Sequence, residues 1–499
     1  MSFLFPQLSL LNVAIAALAT IILGIIGFTL TAPSAFNVYD PDFIEEDQDT
    51  GKNEFNSRDS GYAHFSKHRE TYKSLRAPVS AQVVVLGDIG RSPRMQYHAI
   101  SLAKHGARVD LVGFLDSEVH PDLLSNPLVK ITPLHPPPRF LQTSNKLFFI
   151  LFGPMKVIWQ AFDLYYTLGY GSKPAKWMLV QNPPSIPLLG IARIVCLIRN
   201  TRLVIDWHNF GWTVLAVKLG PSHPLVRVSR WFEQTVSHGA DAHLVVSNAM
   251  SKALHRATGA KALVLYDRPT ADFHALTAAE RSAFLYRLEE TKLFAADIIM
   301  GNWRLVVSPT SWTPDEDFSM LLQALVKYCE TAHRNSLPKL MFIITGKGPQ
   351  KDYYVEKIKA LSEGNKLLHV APLTAWLSRA DYALLLGAAD LGISLHRSTS
   401  GVDLPMKIVD MFGAGLPAIG WCDFEAWPEL VKEGVSGKGF TTAEELQALL
   451  ENLFRNKGAN LELLKKGALG EGDRRWDDEW DAVAGKLFQV VKLQAIKQQ

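Results

Sequence analysis

The chain has 499 residues, more than one hydrophobic core normally organises, and this length suits two domains of ordinary size with an appendage. Hydrophobic residues make up 47% and charged residues 20%, which argues against a disordered or fibrous chain. The formal net charge of +3, with no basic stripe interleaved with aromatics, argues against a nucleic-acid partner. The three cysteines, Cys196, Cys329 and Cys422, suggest neither a disulfide framework nor a zinc site, so a reducing compartment is expected.

The first feature in chain order is an apolar segment from Leu8 to Leu30, with no Asp, Glu, Lys or Arg before Asp40. As a helix it would reach about 35 Å, enough to cross a hydrocarbon core of about 30 Å. A cleaved signal peptide is the alternative, but the positive n-region is absent and the apolar run is too long. Basic residues follow the segment, which predicts a single-pass anchor over residues 1–30 and a cytosolic body. Residues 31–78 are polar and are expected to form a tether.

Two series of short β-branched segments alternate with helix-like segments along the rest of the chain. They predict strands at 81–86, 109–114, 177–181, 202–206, 243–247 and 262–266, and then at 304–308, 340–345, 367–370, 391–395 and 417–421. Strands that alternate with helices predict parallel βαβ units. We therefore expect an α/β fold of two Rossmann-like domains, 79–285 and 286–470, whose strand-end loops face a cleft. Residues 471–499, with Trp476 and Trp480 one helical turn apart, are expected to form a closing helix.

The first predicted strand ends in a glycine-rich, charged loop directly before a helix. Gly87 and Gly90 permit close approach of a substrate to the backbone, and Arg91 and Arg94 add positive charge at a helix N-terminus, which attracts anions. Asp88 is the only carboxylate in this loop. An ordinary strand-to-helix turn is the alternative, since glycine-rich turns are common in this fold class. The density of Asp and Arg favours a substrate-binding loop.

A second loop of the same domain combines polar and aromatic residues. Asp206, His208 and Trp212 follow one predicted strand. Sugars stack their apolar faces on aromatic rings while their hydroxyls need hydrogen bonds, so this composition suits a sugar. A satisfied core histidine is an equally compatible interpretation of His208. Asp206, two residues earlier, favours a binding role.

The second domain opens with a strand that ends at Ser308, followed by Thr310, and both residues are candidates for donor binding. The D-x-D formed by Asp315 and Asp317 comes next. In some transferases a D-x-D binds a metal together with a sugar diphosphate, and the sequence leaves a divalent cation open. The favoured interpretation is that these acids complement the dipole of the following helix. No tightly bound cofactor is expected. A further strand-end loop carries three candidate residues for donor binding, Gly346, Lys347 and Gly348.

The most informative segment runs from His396 to Pro417. Its small residues, among them Ser400 and Gly401, can donate backbone N–H groups to phosphates, and a helix that begins near Pro405 directs its positive end to the same place. Lys407 can contact a diphosphate as a point charge. Asp410, three residues later on the same helix face, can accept hydrogen bonds from ribose hydroxyls. A solvated amphipathic helix would explain Lys407 and Asp410 but not the loop before them or the glycine-rich stop after them.

Four sequence blocks resemble the chitobiosyldiphosphodolichol beta-mannosyltransferase family, and the resemblance covers nearly the whole chain. They are Gly87–His98, Asp206–Thr213, Ser308–Phe318 and Ser400–Gly413. The resemblance implies a GT-B fold, GDP-mannose as donor, and transfer of mannose in β-1,4 linkage to dolichyl diphosphate-linked chitobiose. It also implies a place on the cytosolic face of the endoplasmic reticulum membrane, with other glycosyltransferases of the same pathway as further partners. In the wider retaining GT-B superfamily a two-glutamate signature occupies this last block. Here Asp410 matches the second acid, while Ser400 and Gly401 stand where the first would be.

A β-mannoside made from an α-linked sugar nucleotide requires inversion, hence a general base for the acceptor hydroxyl. The base should come from the N-terminal domain, where the acceptor is expected to bind at Gly87, Gly90, Arg91, Arg94, Asp206 and Trp212. By position alone we expect Asp88 to be the base in preference to His208 and Asp206. Lys407, the helix start and the loop amides are expected to stabilise the leaving diphosphate. A retaining GT-B transferase on another lipid-linked acceptor, a non-catalytic docking subunit and a nicotinamide dehydrogenase are the alternatives, the last weakened by an incomplete G-x-G-x-x-G.

Residues 140–170 form a second apolar and aromatic segment. Pro154 interrupts it, and Lys156 and Asp163 argue against a second transmembrane span. Two interpretations stay open: a buried helix of the first domain, or an aromatic-rich surface that enters the lipid headgroup layer. The lipid-linked acceptor favours the second interpretation, because its sugar must reach a cleft held close to the membrane.

Overall fold

The computed structural model describes residues 79–139 and 146–491, and for residues 146–152 it describes the backbone only. The expected anchor over residues 1–30 and the tether over residues 31–78 lie outside this part of the chain. Within it, no helix is both long enough and apolar enough to cross a membrane.

The first sheet has seven strands in the order β3-β2-β1-β4-β5-β6-β7. Its strands read as short apolar runs because both faces are covered, as is usual for parallel sheets. The strands are β1 Ser80–Asp88, β2 Arg108–Phe114, β3 Val129–Pro133, β4 Trp177–Asn182, β5 Arg202–Trp207, β6 Ala242–Val245 and β7 Leu263–Val264. The helices along this stretch are α1 Pro93–Lys104, α2 Pro121–Ser125, α3 Lys146–Tyr166, α4 Leu188–Arg199, α5 Gly211–Leu219, α6 Pro224–Ser237 and α7 Asn248–Thr258.

The second sheet has six strands in the order β10-β9-β8-β11-β12-β13. Its strands are β8 Trp303–Pro309, β9 Lys339–Thr345, β10 Val370–Ala375, β11 Leu391–Ser394, β12 Ala418–Trp421 and β13 Gly437–Phe440. The helices are α8 Ala278–Arg287, α9 Ala295–Met300, α10 Phe318–Ala332, α11 Lys351–Glu363, α12 Arg379–Ala388, α13 Met406–Gly413, α14 Trp427–Leu430, α15 Ala443–Phe454, α16 Ala459–Gly472 and α17 Trp476–Trp480. On one face of this sheet Trp312, Phe318 and Tyr328 join a fully buried core.

By packing, the chain divides into two compact units. Among the described residues, the first unit comprises those up to Asp206, Trp231–Ala242 and those from Phe488 to residue 491. The second comprises Trp207–Arg230 and His243–Leu487. The limits expected at 285 and 470 follow the order of strands along the chain, whereas this division follows packing and assigns the loop after β5 to the second unit.

Strand order identifies where each sheet changes direction. In both sheets the first strand of the series lies between the second and the fourth, so β1 pairs with β2 and β4, and β8 pairs with β9 and β11. In open parallel sheets, ligands bind beyond the carboxyl ends of the strands at this switch point. The candidate binding loops are therefore those after β1 and β4 in one sheet and those after β8 and β11 in the other.

Three strands were missed or misplaced by the sequence analysis, and all three lie at sheet edges. The segment 367–370 was wrongly expected to be a strand, since β10 begins at Val370 and carries Pro372. Proline tolerates only an edge position because it cannot donate to the ladder, and β10 is an edge strand. The strands β3 and β13 were not predicted from the sequence, because each is short and contains Lys together with Pro or Gly.

The C-terminal region contains a shorter helix than expected. The α-helix covers only Trp476–Trp480 and continues as a π-helical turn over Asp481–Gly485. Trp476 and Trp480 are both buried, as their spacing on one helix face predicts.

Candidate functional site

The carboxylate of Asp88 stands at the carboxyl end of β1 and is surrounded by donors. Its Oδ1 accepts from the backbone N–H groups of Gly90, Asp116 and Ser117, each at 3.2 Å, while Oδ2 accepts from the Ser117 hydroxyl. Arg91 Nε lies 3.4 Å from the same carboxylate. Burial opposes ionisation, but the hydrogen bonds from Ser117, Gly90 and Asp116 outweigh it and lower the pKa of Asp88 below its ordinary value. A carboxylate so stabilised is a weak base.

The rest of this loop packs against a neighbouring segment. A side chain at Gly90 would lie 2.5 Å from the carbonyl oxygen of Glu118, so glycine is needed for backbone packing. Gly87, inside β1, meets only an ordinary contact with the Val85 side chain. Arg91 is 81% exposed and remains available to an anion.

Arg94 and Asp206, both predicted to bind the acceptor, bind each other. The Arg94 guanidinium donates to the two carboxylate oxygens of Asp206 at 2.8 and 2.9 Å, and His98 Nε2 lies 3.3 Å from Asp206. The side chains of Arg94 and Asp206 are 1% and 0% exposed. A bidentate pair of this kind satisfies both buried charges and fixes α1 to the end of β5.

The loop after β5 carries His208, Asn209 and Trp212 within the second unit. The Arg230 guanidinium lies over the Trp212 ring, 4.8 Å from its centroid. His208 is partly buried in the loop between β5 and α5. Asn209 Nδ2 donates to the Thr399 hydroxyl at 3.0 Å. Thus the residue next to His208 contacts the small-residue loop that follows β11.

The loop after β8 is organised around a carboxylate that the sequence analysis did not select. Glu316 is 2% exposed and accepts from the Thr310 hydroxyl and from the Ser311 N–H at 2.8 Å. Ser308 is fully buried, and its hydroxyl has no hydrogen-bond partner among residues 79–139 and 146–491. Asp317 caps α10 by accepting from the Ser319 N–H at 3.1 Å, which confirms the interpretation of Asp317 as a helix-start acid.

The loop after β9 packs closely on the loop after β8. Gly346 has a φ of +120°, and a side chain there would lie 1.9 Å from the carbonyl oxygen of Thr310. Gly348 is likewise in close contact with the backbone of Ser311. Lys347 places its ammonium 4.1 Å from the ring centroid of Trp376, which is 61% exposed at the end of β10. This loop therefore presents a cation and an aromatic face.

The carboxylate of Asp403 forms several contacts that hold the loop after β11 in place. Asp403 accepts from the hydroxyls of Ser398 and Ser400, the latter at 3.0 Å, and its Oδ2 lies 2.9 Å from His396 Nε2. Gly401 has a φ of +77° and donates its N–H to the Ser398 hydroxyl at 2.8 Å. Every one of these bonds is local, so the loop keeps a fixed shape.

His396 lies between two carboxylates. Its other ring nitrogen is 3.4 Å from Asp315 Oδ2. Burial alone would lower the pKa of His396, but the hydrogen bonds to Asp315 and Asp403 raise it to about 9. Burial likewise opposes ionisation of Asp315, yet the bond from His396 lowers the pKa of Asp315 to about 2. The imidazole is therefore a cation at neutral pH.

Lys407 and Asp410 stand on α13 with different partners. Lys407 forms an ion pair with the buried Glu316. Asp410 lies beside Tyr382 and near Arg379, which pairs with Asp272 at 2.8 Å. Desolvation raises the pKa of Asp410 to about 7, against the pull of Arg379. Among the described residues, no side chain caps the N-terminus of α13, so its first amides face the loop.

The sequence analysis missed Glu316, His396 and Asp403. His396 could have been identified from its position immediately after a predicted strand. Glu316 could have been identified from its position inside the D-x-D, between Asp315 and Asp317. No group of three or more His, Cys, Asp or Glu side chains in the described part of the chain is arranged to hold a metal ion.

Comparison with known proteins gives a consistent result, although no family model matches the chain. The chitobiosyldiphosphodolichol beta-mannosyltransferase of Arthroderma benhamiae is 46% identical over 418 residues, which is 83% of this chain and 92% of that protein. The UDP-glycosyltransferase TURAN of Arabidopsis thaliana is 40% identical over 461 residues, 83% of this chain and 98% of that protein.

Solved structures agree with this result at the level of the fold. Anabaena HepE in complex with UDP-glucose superposes with a TM-score of 0.59 at 17% identity, covering 83% of this chain and 99% of that one. The two Rossmann-like sheets are thus those of the GT-B glycosyltransferases, as expected. With sequence identity of this level over nearly the whole length of its relatives, the chain belongs to the chitobiosyldiphosphodolichol beta-mannosyltransferase family.

Proposed function

We propose that this protein transfers mannose from GDP-mannose, in β-1,4 linkage and with inversion, to the chitobiosyl unit of dolichyl diphosphate. The name of its Arthroderma benhamiae relative supports both the sugar and the acceptor. The observation that carries the proposal is the loop between β11 and α13, where small residues, a helix start and Lys407 converge at the switch point of the second sheet.

The donor diphosphate is assigned to this loop on electrostatic grounds. The N-terminus of α13 offers backbone amides and a positive dipole end, and Lys407 adds a full charge that is 25% exposed. The cation His396 belongs to the same loop and lies between Asp315 and Asp403. As the sugar leaves, negative charge grows on the diphosphate, and fixed donors of this kind stabilise it without reorganisation. Asp410 on the same helix is assigned to the ribose hydroxyls.

His208 is the base that the geometry favours, in place of Asp88. Asp88 has its carboxylate oxygens occupied by backbone and side-chain donors, and its lowered pKa makes it a poor proton acceptor. Asp206 is committed to Arg94. His208 lies beside Asn209, which contacts the donor loop through Thr399. A base must stand next to both the acceptor hydroxyl and the donor carbon, and the contact of Asn209 with Thr399 supports the second of these for His208.

The decisive experiment incubates detergent-solubilised full-length protein with a chitobiosyl diphosphate lipid and a panel of radiolabelled nucleotide sugars. We expect incorporation from GDP-mannose and a β-anomeric product. Because one relative carries UDP in its name, UDP-sugars form the second arm of the panel. An α-anomeric product identifies a retaining enzyme, and no incorporation from any donor by the purified chain supports the docking subunit.

We further propose that α3 contacts the membrane surface of the endoplasmic reticulum. Asp163 accepts from the His135 N–H at 2.9 Å and is 7% exposed, so it faces the protein. Ile158, Phe162 and Tyr166, each four residues apart, are 68%, 58% and 49% exposed. An exposed apolar stripe on a helix whose other face is packed suits the lipid headgroup layer. Contact at this surface brings the protein close to a lipid-linked acceptor.

Liposome co-sedimentation tests the membrane contact. A truncated protein that lacks residues 1–30 is expected to bind liposomes, and replacing Ile158, Phe162 and Tyr166 with Ser is expected to abolish that binding. Leu293→Ser, at a residue that is 83% exposed elsewhere, is the control and leaves binding intact. If the truncated protein stays in the supernatant, the N-terminal segment alone supplies proximity to the membrane.

A further inference from the structure

Three consecutive acids follow β8, and each contacts a different cation of the segment that follows β11. We call Asp315–Asp317 the acidic triplet. Its pairs are Asp315 with His396 at 3.4 Å, Asp317 with Arg397 at 3.0 Å, and Glu316 with Lys407. A backbone bridge between Glu316 and His396 runs through the middle of this arrangement. One short stretch of chain thus holds three cations of the neighbouring loop and helix.

Glu316 differs from the other two acids in burial. Its side chain is 1% exposed, whereas those of Asp315 and Asp317 are 30% and 33% exposed. The Ser311 N–H and the Thr310 hydroxyl fix its carboxylate from the side of its own loop. A buried carboxylate is costly unless it is fully paired, and Lys407 supplies the compensating charge. The Glu316 carboxylate is therefore held rigidly, whereas the Lys407 side chain that it binds is long and flexible.

We propose that Glu316 is a positioning residue for the donor site, which holds the Lys407 ammonium at the start of α13 so that it meets the diphosphate of a nucleotide sugar. The inference rests on the proposed function, because it takes the loop between β11 and α13 as the diphosphate site. Without the Glu316 carboxylate, the Lys407 side chain would sample many rotamers, and fixing it when the diphosphate binds would cost conformational entropy. Glu316 removes that cost in advance, and acts on the ligand only through Lys407.

The first test is Glu316→Gln, which keeps the shape of the side chain and its acceptor for Ser311 but removes the charge. We expect GDP to bind about tenfold more weakly to the full-length protein by isothermal titration calorimetry, since hydrogen bonds to charged groups contribute at this level. The KM for GDP-mannose should rise by a similar factor, while the KM for the lipid acceptor should not change. Unchanged GDP affinity overturns the proposal. Tighter GDP binding also overturns it, because Glu316 would then compete with the phosphates for Lys407.

A double-mutant cycle separates positioning from a merely structural role. In a Lys407→Ala background, Glu316→Gln is expected to change GDP affinity by less than about twofold, because its effect passes through Lys407. If the two losses multiply, Glu316 acts independently of Lys407 and the proposal fails. Glu451→Gln is the matched control: Glu451 also accepts from a threonine hydroxyl, that of Thr331, and pairs with Arg455 at 3.4 Å in the same unit. GDP affinity should be unchanged in this variant.

Two additions keep the outcome interpretable. Thermal unfolding of each variant reports folding, and if Glu316→Gln does not fold, Glu316→Asp replaces it, since the shorter carboxylate withdraws from Lys407 and predicts the same loss. UDP is titrated beside GDP. A wild-type protein that binds UDP and not GDP contradicts the proposed donor, while the dependence of nucleotide affinity on Glu316 is then measured with UDP.

Discussion

Two charged regions at strand ends look alike in the sequence and differ in the structure. In the first unit, Arg94 and Asp206 are completely buried and satisfy each other. In the second unit, the acid Glu316 is buried but its partner Lys407 is 25% exposed, and Arg397, the partner of Asp317, is 39% exposed. The first arrangement fixes a helix to a sheet. The second leaves positive charge accessible at the loop assigned to the donor. Burial of the cation, which the sequence does not reveal, separates a structural pair from a binding group.

The largest expected effect comes from breaking the buried pair of the first unit. Asp206→Asn leaves the Arg94 guanidinium buried without a full counter-charge, and we expect a loss of about 3–5 kcal/mol in the free energy of unfolding. Denaturant titration followed by circular dichroism measures it. Glu444→Gln, which removes an exposed ion pair with Lys327, is the control and should leave the unfolding midpoint nearly unchanged. Equal stability of both variants would mean that the buried pair is not structural.

The next effect concerns the general base, for which His208 of the second unit and Asp88 of the first unit are the candidates. His208→Ala is expected to lower kcat by about 10²–10⁴ with little change in donor KM, since a base acts in the transition state. Asp88→Asn is expected to lower kcat by less than about tenfold, because its carboxylate is already saturated by hydrogen bonds. Steady-state kinetics on both variants show which of the two residues is the general base. An active His208→Ala enzyme with an inactive Asp88→Asn enzyme restores Asp88 as the base.

A smaller effect is expected at Asp410, whose pKa is raised to about 7 by desolvation. The ionised carboxylate accepts stronger hydrogen bonds from the ribose hydroxyls than the protonated form does, so the KM for GDP-mannose should fall as pH rises from about 6 to about 8. Asp410→Asn should remove that dependence and show a raised KM at pH 8. A wild-type KM that is flat across this range, or an unchanged slope in the variant, would remove Asp410 from the ribose site.

The sequence predicted the strands that lie inside each sheet, because their apolar runs are uninterrupted, as in Val83 to Leu86. It did not predict the edge strands β3, β10 and β13, where Pro, Lys and Gly weaken the pattern. The positions of Lys407 and Asp410 on one helix followed from their spacing. Pairings across distant segments, such as Arg94 with Asp206 and Glu316 with Lys407, did not, because side-chain partners 112 or 91 residues apart depend on the tertiary fold.

The last expected effect is the dependence of stability on pH that His396 brings to the second unit. Its pKa rises from about 6.5 in the unfolded chain to about 9 in the fold, so its contribution to stability is complete below pH 6.5. Between pH 6.5 and 9 the unfolded chain loses this proton while the folded chain keeps it, and the contribution declines with rising pH. The destabilisation caused by His396→Asn should therefore be greatest at pH 6 and should shrink by pH 9, as measured by thermal unfolding of both proteins across that range. Asp403→Asn, which removes one of the two partners of the imidazole, should reduce the same pH dependence. A destabilisation that stays constant from pH 6 to pH 9 would mean that His396 is neutral in the fold and that Arg397 and Lys407 are the cations of this loop.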